Sequence, residues 1–506
     1  LNLASLLVET AKKHPDKTAV RFDRNRISYG DLDKRCNRLA NGLLDLGLGS
    51  GDRIVVMTPN SADYIAVYYA VAKIGATLIP VNFLYKAHEL QHILADSKPK
   101  AFIGAAPYLD EITKTFKAIE APPILIAWNA PEGGGFMDFE KVLSDKTDFA
   151  LYPSDDEDIV HILYTSGTTG RARGVMLSHG NIRRNATIIA DMRGVVDPRT
   201  TVIGVLPLYH IYGITSVLNA SVYQGLTIEL MPHFDPLEVI KVMEREEVSV
   251  IFAVPTMYNR LIQSAAERQP KSRNLKYCVS GGASLPVEFL QRFEKAFHTK
   301  IYEGYGLTEA PVCIENPYGK KTKQGSIGLP IPEYEAKIVD PMGVEVPQGA
   351  AGELLVKGAG VMKGYLNLPR ETREVLQDGW LFTGDMARQD EEGYFYIVDR
   401  KKELVIRGGY NVYPREVEEL LYQIPDVVEA AVFGVAHEDL GEEVAAVVYL
   451  REGSQMTPND IRAYVKERIA PYKYPRIVSL IDQPLPKSGS GKILKRQVKK
   501  LFASAE

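Results

Sequence analysis

Short apolar runs rich in Val and Ile recur at 53–57, 77–81, 159–164, 201–205, 226–230 and 248–254, with amphipathic segments between them. Runs of that length alternating with helix-period stretches predict β-α-β units and mainly parallel sheets. Pro255 and Pro286 each follow an apolar or Gly-rich segment, which places them at helix starts, where the missing N–H costs nothing. Loops at such junctions sit at strand ends, where open α/β sheets bind ligands. After 352–356 the texture changes to shorter strands and Gly turns such as Gly358-Ala359-Gly360, which predicts a smaller, twisted β subdomain. A second change near 400–403 opens a compact α+β tail, with helices over 414–422 and 458–469 and strands over 427–435, 443–450 and 477–481. No internal repeat or low-complexity segment interrupts the pattern.

Composition narrows the class. With 506 residues, 45% hydrophobic and 25% charged, the chain is large enough for at least two globular domains. Its 60 basic and 64 acidic residues leave a net charge of -4, which gives no footprint for nucleic acid or an anionic membrane. Cys36, Cys278 and Cys313 are odd in number and widely spaced, so three reduced structural thiols are expected rather than a disulfide framework or zinc site. The opening run reaches Glu9 and Lys12-Lys13 too soon for a secretory signal. No stretch approaches the roughly 20 apolar residues of a membrane span. A cytoplasmic location is expected; the first residue is not Met, which leaves a preceding native segment open.

The stretch Leu163-Tyr164-Thr165-Ser166-Gly167-Thr168-Thr169-Gly170-Arg171-Ala172-Arg173-Gly174 carries the most chemistry. A β-branched strand runs into a loop of hydroxyls, glycines and cations, a composition suited to holding phosphates. It is not a Walker A loop, because neither Gly167 nor Gly170 is followed at the required spacing by Gly-Lys-Ser/Thr. Four further motifs follow in order: Tyr302-Glu303-Gly304-Tyr305-Gly306-Leu307-Thr308-Glu309, Trp380-Leu381-Phe382-Thr383-Gly384-Asp385, Asp399-Arg400-Lys401-Lys402, and Pro486-Lys487-Ser488-Gly489-Ser490-Gly491-Lys492. Together they resemble the adenylate-forming superfamily of acyl-CoA synthetases, aryl-CoA ligases, luciferases and peptide-synthetase adenylation domains, over essentially the whole chain.

That resemblance implies an α/β fold: a large N-terminal domain (1–400) of parallel-rich α/β sheets plus a β subdomain, and a small mobile α+β C-terminal lid domain (401–506). It implies a carboxylic acid, ATP and CoA as substrates, and Mg²⁺. Thr165, Ser166, Gly167, Thr168, Thr169 and Gly170 would cradle the departing phosphates. Ala172-Arg173-Gly174 stands where the family usually has Pro-Lys-Gly, so Arg173 keeps the charge but not the compact ammonium. Thr308 would contact the α-phosphate and Glu309 would hold Mg²⁺. Adenine would lie between Gly281-Gly282-Ala283 and Tyr305 beside Gly306, with Glu303 accepting from its amine. Asp385 and Arg400 would take the ribose. Lys492 would bridge the reacting carboxylate and the α-phosphate. Lys402 matches the hinge, about which the tail would turn to bring Gly408, Gly409 and Tyr410 to a thiol-bearing arm. Lysine acetylation at Lys492, by an acetyltransferase and reversed by a deacetylase, would erase its charge.

Leu206-Pro207-Leu208-Tyr209-His210-Ile211-Tyr212-Gly213 matches the entrance of the family's acid pocket, with His210 gating the thiol channel. His210, Tyr212, Gly213, Val254, Thr256, Gly281, Gly306, Ala310 and Pro311 would line that pocket. No Asp between 206 and 213 is present to pair with an amino acid's ammonium. Gly306 stands where acetate-specific relatives carry a bulky Trp, which points to a longer aliphatic, alicyclic or aryl acid. An acyl-AMP ligase loading a carrier protein, a luciferase-like oxygenase and a non-catalytic nucleotide binder share most of these motifs and remain alternatives.

Overall fold

The computed structural model describes all 506 residues except 117–122, 132, 166–171, 195–196, 198, 246–247, 269–274, 490 and 506. Two large sheets dominate. In the first, Arg173–Ser178, Ile159–Thr165, Thr77–Pro80, Arg53–Met57, Ala101–Ala105 and Ile124–Trp128 lie side by side, parallel except at the Ile159–Thr165/Arg173–Ser178 hairpin. In the second, Ile301–Tyr305, Tyr277–Ser280, Val248–Ala253, Thr201–Gly204, Thr227–Leu230 and Thr18–Phe22 run parallel, with short antiparallel strands at both edges. The six runs read from sequence are all strands.

Alternation fixes which side each strand buries. Ile54 and Val56 join the main core together with Val202, Ile228 and Val250 of the second sheet, whereas Val55 and Met57 face a separate cluster with Ile79 and Phe102. Both faces are therefore apolar, as in a parallel sheet covered by helices. The helix Ala62–Lys73 contributes to that shared core with every residue from Tyr64 to Lys73 buried. Lys73 is tolerated there because its ammonium meets Asp33 and Asn37, each at 2.7 Å.

The β subdomain begins earlier than the texture change at 352, since Tyr334–Val339 already pairs with Gly352–Gly358, which pairs in turn with Trp380–Gln389. The tail carries its own sheet and two apolar clusters. Its helix Pro414–Tyr422 and strand Ile477–Ile481 match the sequence reading, while the second helix stops at Lys466 rather than 469. Pro255 occupies the first turn of Pro255–Glu267, and Pro286 caps Val287–Phe297. All three cysteines are free and buried. Among the described residues no helix is long and apolar enough to cross a membrane.

Candidate active site

The strand ends of both large sheets, the β subdomain and the tail surround a cavity of about 850 Å³. The phosphate-loop hairpin enters from one side. Thr165 and Arg173 face each other at its base and line the cavity, while Ser166 to Gly170 lie outside the described residues. The Arg173 guanidinium sits 5.3 Å over the Tyr365 ring. Tyr365 in turn donates from its hydroxyl to Glu309 at 2.9 Å. Burial raises the Glu309 carboxyl above its usual range, and the Tyr365 bond opposes that shift. Thr308 and Glu309 both line the cavity.

On the β-subdomain side, Asp385 and Arg400 are cross-strand partners, and Arg400 Nε lies 3.3 Å from the Asp385 carboxylate. The Tyr305 hydroxyl donates to the same carboxylate at 2.6 Å. Thr383 accepts from the Asp385 N–H at 3.1 Å and donates to the Leu354 carbonyl at 2.6 Å, which holds this turn to the sheet. Tyr305, Gly281 and Gly282 form the neighbouring wall. Gly282 adopts φ +79°, in the left-handed region that favours glycine.

Lys492 reaches the cavity from the tail. Its loop is closed by Ser488, which donates its N–H to the Lys492 carbonyl at 2.8 Å and accepts the Lys492 N–H on its hydroxyl at 3.1 Å. The loop is docked on the large domain, since Thr256 donates to the Gly491 carbonyl at 2.9 Å. Asn259 donates to Val428 at 3.0 Å, and Phe289 packs on Tyr422 with ring centroids 4.9 Å apart. Burial and the nearby Arg400 charge lower the Lys492 ammonium to about 8, with Glu403 and Asp385 opposing. His210 lines the same cavity; burial, then the Lys492 charge, lowers it to about 4, so it is neutral near pH 7.

Beside this space lies a second cavity of about 230 Å³, between the large domain and the tail, lined by Thr256, Ala283, Glu303, Tyr305, Gly306, Arg415 and Glu419 among others. Burial pushes the Glu303 carboxyl up to about 7, with Arg415 opposing.

Three expectations change. Ala310 and Gly213 are buried behind the wall and line neither cavity. Gly213 is required instead by close approach, because a Cβ there would lie 2.4 Å from the Pro207 carbonyl oxygen. Gly306 does line both cavities, yet its Cβ would lie 2.7 Å from the Val312 backbone nitrogen, so backbone packing demands glycine there whatever the pocket's volume. Gly408, Gly409 and Tyr410 line neither cavity; they turn a hairpin in the tail, with Tyr410 59% exposed and stacked on Tyr472 at 4.7 Å. Lys402 is exposed at the cavity rim.

Tyr365 was not legible from sequence. It sits outside every motif, and the two-residue strand Gly364–Tyr365 meets Arg173–Ser178 only through tertiary pairing. Asn82 and Glu315 also line the cavity without a local signal. Among the described residues no group of three or more His, Cys, Asp or Glu could hold a metal ion. A single carboxylate, Glu309, with substrate phosphates fits Mg²⁺, which keeps several waters and rarely uses an all-protein cage.

Residues 7–366 match the family model described as AMP-binding enzyme, and residues 416–492 match that of the AMP-binding enzyme C-terminal domain. The chain belongs to this family. It is 38% identical over 525 residues to a long-chain-fatty-acid–CoA ligase of Bacillus subtilis (strain 168), covering 98% of this chain and 94% of the relative. It is 36% identical over 503 residues to a feruloyl-CoA synthase of an Amycolatopsis species, covering 99% of each. Among solved structures, ATP-bound MatB from Rhodopseudomonas palustris superposes with a TM-score of 0.91 at 32% identity, covering 99% of this chain and 98% of that one. The family members' shared architecture of large domain and small C-terminal domain agrees with the fold described above.

Proposed function

We propose that this member of the AMP-binding enzyme family is an AMP-forming acyl-CoA synthetase whose adenylation step is carried by Lys492. The observation that supports this most directly is the convergence of Lys492 from the tail with Arg400, Asp385, Thr308 and Glu309 on one cavity. A carboxylate oxygen attacks the α-phosphorus of ATP, and pyrophosphate leaves. Negative charge meets negative charge in that step, so aimed cations lower its barrier. Lys492 would neutralise the carboxylate and the α-phosphate together. Arg173 and Thr165, with the loop they flank, would hold the departing phosphates. Glu309 would hold Mg²⁺, which supplies positive charge beside the phosphates when bound. Asp385 would accept from the ribose hydroxyls while Tyr305 and Arg400 keep its carboxylate oriented.

In the second step the CoA sulfur attacks the acyl carbonyl, loses its proton and expels AMP. Neutral His210 stands at the acid pocket without adding a charge. The Gly408-Gly409 hairpin is outside the site in this arrangement, so the thioester step would use a tail turned about Lys402, with the boundary between domains near 400/401. The acid end of the cavity includes Tyr212, Val254, Val279, Pro311 and Val312, an apolar lining suited to an aliphatic, alicyclic or aryl acid.

The test is mass spectrometry of products after mixing the protein with ATP, Mg²⁺, CoA and carboxylates from acetate to palmitate, with benzoate and cyclohexane carboxylate. Acyl-CoA and AMP are expected. Acyl-AMP alone, or no product from any acid, would overturn the assignment.

A further inference from the structure

The wall of the acid pocket is not wholly apolar. Glu315 lines the main cavity, and it is buried in an ion pair with Arg193, each side chain only 3% exposed. Arg193 grips it bidentately, donating from Nε at 2.8 Å and from Nη2 at 2.6 Å. The guanidinium itself is stacked 4.7 Å from the Phe252 ring centre and leans on the Ser216 hydroxyl at 3.4 Å. Its Nε and Nη2 are thus committed to Glu315, its buried Nη1 has no hydrogen-bond partner, and its position is fixed by the core.

Two features separate this pair from a salt bridge that only fills space. The first is acceptor capacity: a carboxylate offers about four acceptor sites, and Arg193 occupies one on each oxygen. The second is Gly304. It is the cross-strand partner of Glu315, it lines the cavity, and a Cβ placed on it would sit 3.1 Å from a Glu315 carboxylate oxygen. Any larger residue at 304 would cover the carboxylate. With glycine at 304 no side chain from that strand lies over the carboxylate, whose small exposed edge, on a side chain 3% exposed, meets the cavity beside the apolar groups of Tyr212, Val279 and Val312.

We infer that Glu315, held by Arg193 and uncovered by Gly304, is a specificity-determining acceptor that selects carboxylic acids carrying a hydroxyl group remote from the reacting carboxyl. This rests on the activity proposed above and names its substrate class. A hydroxyl donates to the open acceptor sites of Glu315. A methyl end or bare ring edge pressed there strips water from the carboxylate and returns nothing. A second carboxylate on the substrate meets Glu315 with like charge, because Glu315 lines the cavity and Arg193, behind it, does not. Sites built to bond a substrate hydroxyl reject the analogue without it far more strongly than apolar pockets reject an extra methylene.

The experiment uses the full chain with ATP, Mg²⁺ and CoA and compares kcat/KM for matched acids. The sets are ω-hydroxyalkanoates, their parent alkanoates and the diacids of equal length over a range of lengths, together with hydroxyaryl acids and their parents. The expected result is a hydroxyl-bearing acid at least about 10-fold better than its parent, the margin of a hydrogen bond to a charged group, with the diacid poorer than both. Gly304→Ala, the smallest side chain that meets the carboxylate, with its methyl about 3.1 Å from Oε2, lowers that ratio towards one. The double variant Arg193→Met/Glu315→Leu, which replaces the pair by apolar groups, does the same. Parents that equal or exceed the hydroxylated acids at every length and shape, with thioester still formed, would overturn the inference and leave the activity standing. An unchanged ratio in either folded variant would also overturn it. Absence of thioester and pyrophosphate from every acid would instead remove the underlying assignment.

Discussion

Raising the pH should switch off the adenylation step earlier than an ordinary lysine would allow. Burial and Arg400 both disfavour the Lys492 ammonium and lower it to about 8. The sign follows: the charged, working form is present below that value and is lost as pH rises through it. About 90% of the lysine is charged at pH 7 and about 10% at pH 9, so the first half-reaction should fall roughly ninefold; a lysine at the ordinary value near 10.4 would fall by only a few per cent. The assay is pyrophosphate release without CoA, which keeps the thiol's own titration out of the profile. kcat/KM is the quantity to follow, because it reports the free enzyme, before bound ATP raises the lysine again. Lys492→Arg, charged throughout this range, should be slower but lack the falling limb. A wild-type kcat/KM that is flat to pH 9.5, or the same falling limb in Lys492→Arg, would refute the reasoning.

Other substitutions probe the supporting contacts. Tyr365→Phe removes the donor that favours ionised Glu309, so the acid limb of the rate profile should move to higher pH and activity at pH 6 should fall more than at pH 8. Asp385→Asn keeps the shape but loses the charge facing Arg400 and Tyr305, and the KM for ATP should rise about 10-fold or more in steady-state kinetics, in line with a charged hydrogen bond. Gly306→Ala drives a methyl to 2.7 Å from the Val312 nitrogen, so denaturant unfolding should show a loss of about 1–3 kcal/mol from overpacking.

Legibility from sequence followed the range of each interaction. Parallel strands announce themselves as continuous apolar runs, and the buried 53–57 and the half-buried 477–481 agree with the structure to the residue. Thr18–Phe22 did not, because a five-residue run with one Arg carries little signal alone; it pairs with Asn25–Ser28 on one side and with Thr227–Leu230, some two hundred residues away, on the other. The cavity's motif residues were readable because each motif is a short local segment: Thr165 and Tyr305 end their strands, and Asp385 follows Thr383-Gly384 at a register shift within Trp380–Gln389. What holds those residues was not. Tyr365 reaches Glu309, and Arg193 reaches Glu315, across separations that only the packed sheets close. Gly306 and Gly304 invert the expectation placed on glycine in the pocket: a side chain at 306 would strike backbone, whereas one at 304 would cover a carboxylate.

The most direct test of the account separates the two half-reactions in Lys492→Ala. Adenylation, followed by pyrophosphate release with acid and ATP, should fall on the order of 100- to 1,000-fold, as expected for loss of an aimed charge. Thioester formation from supplied acyl-AMP and CoA should stay within about threefold of wild type, because the second step is assigned to the other face of the tail. Adenylation that survives within about threefold, or equal loss in both halves, would contradict the assignment of Lys492 to the first step.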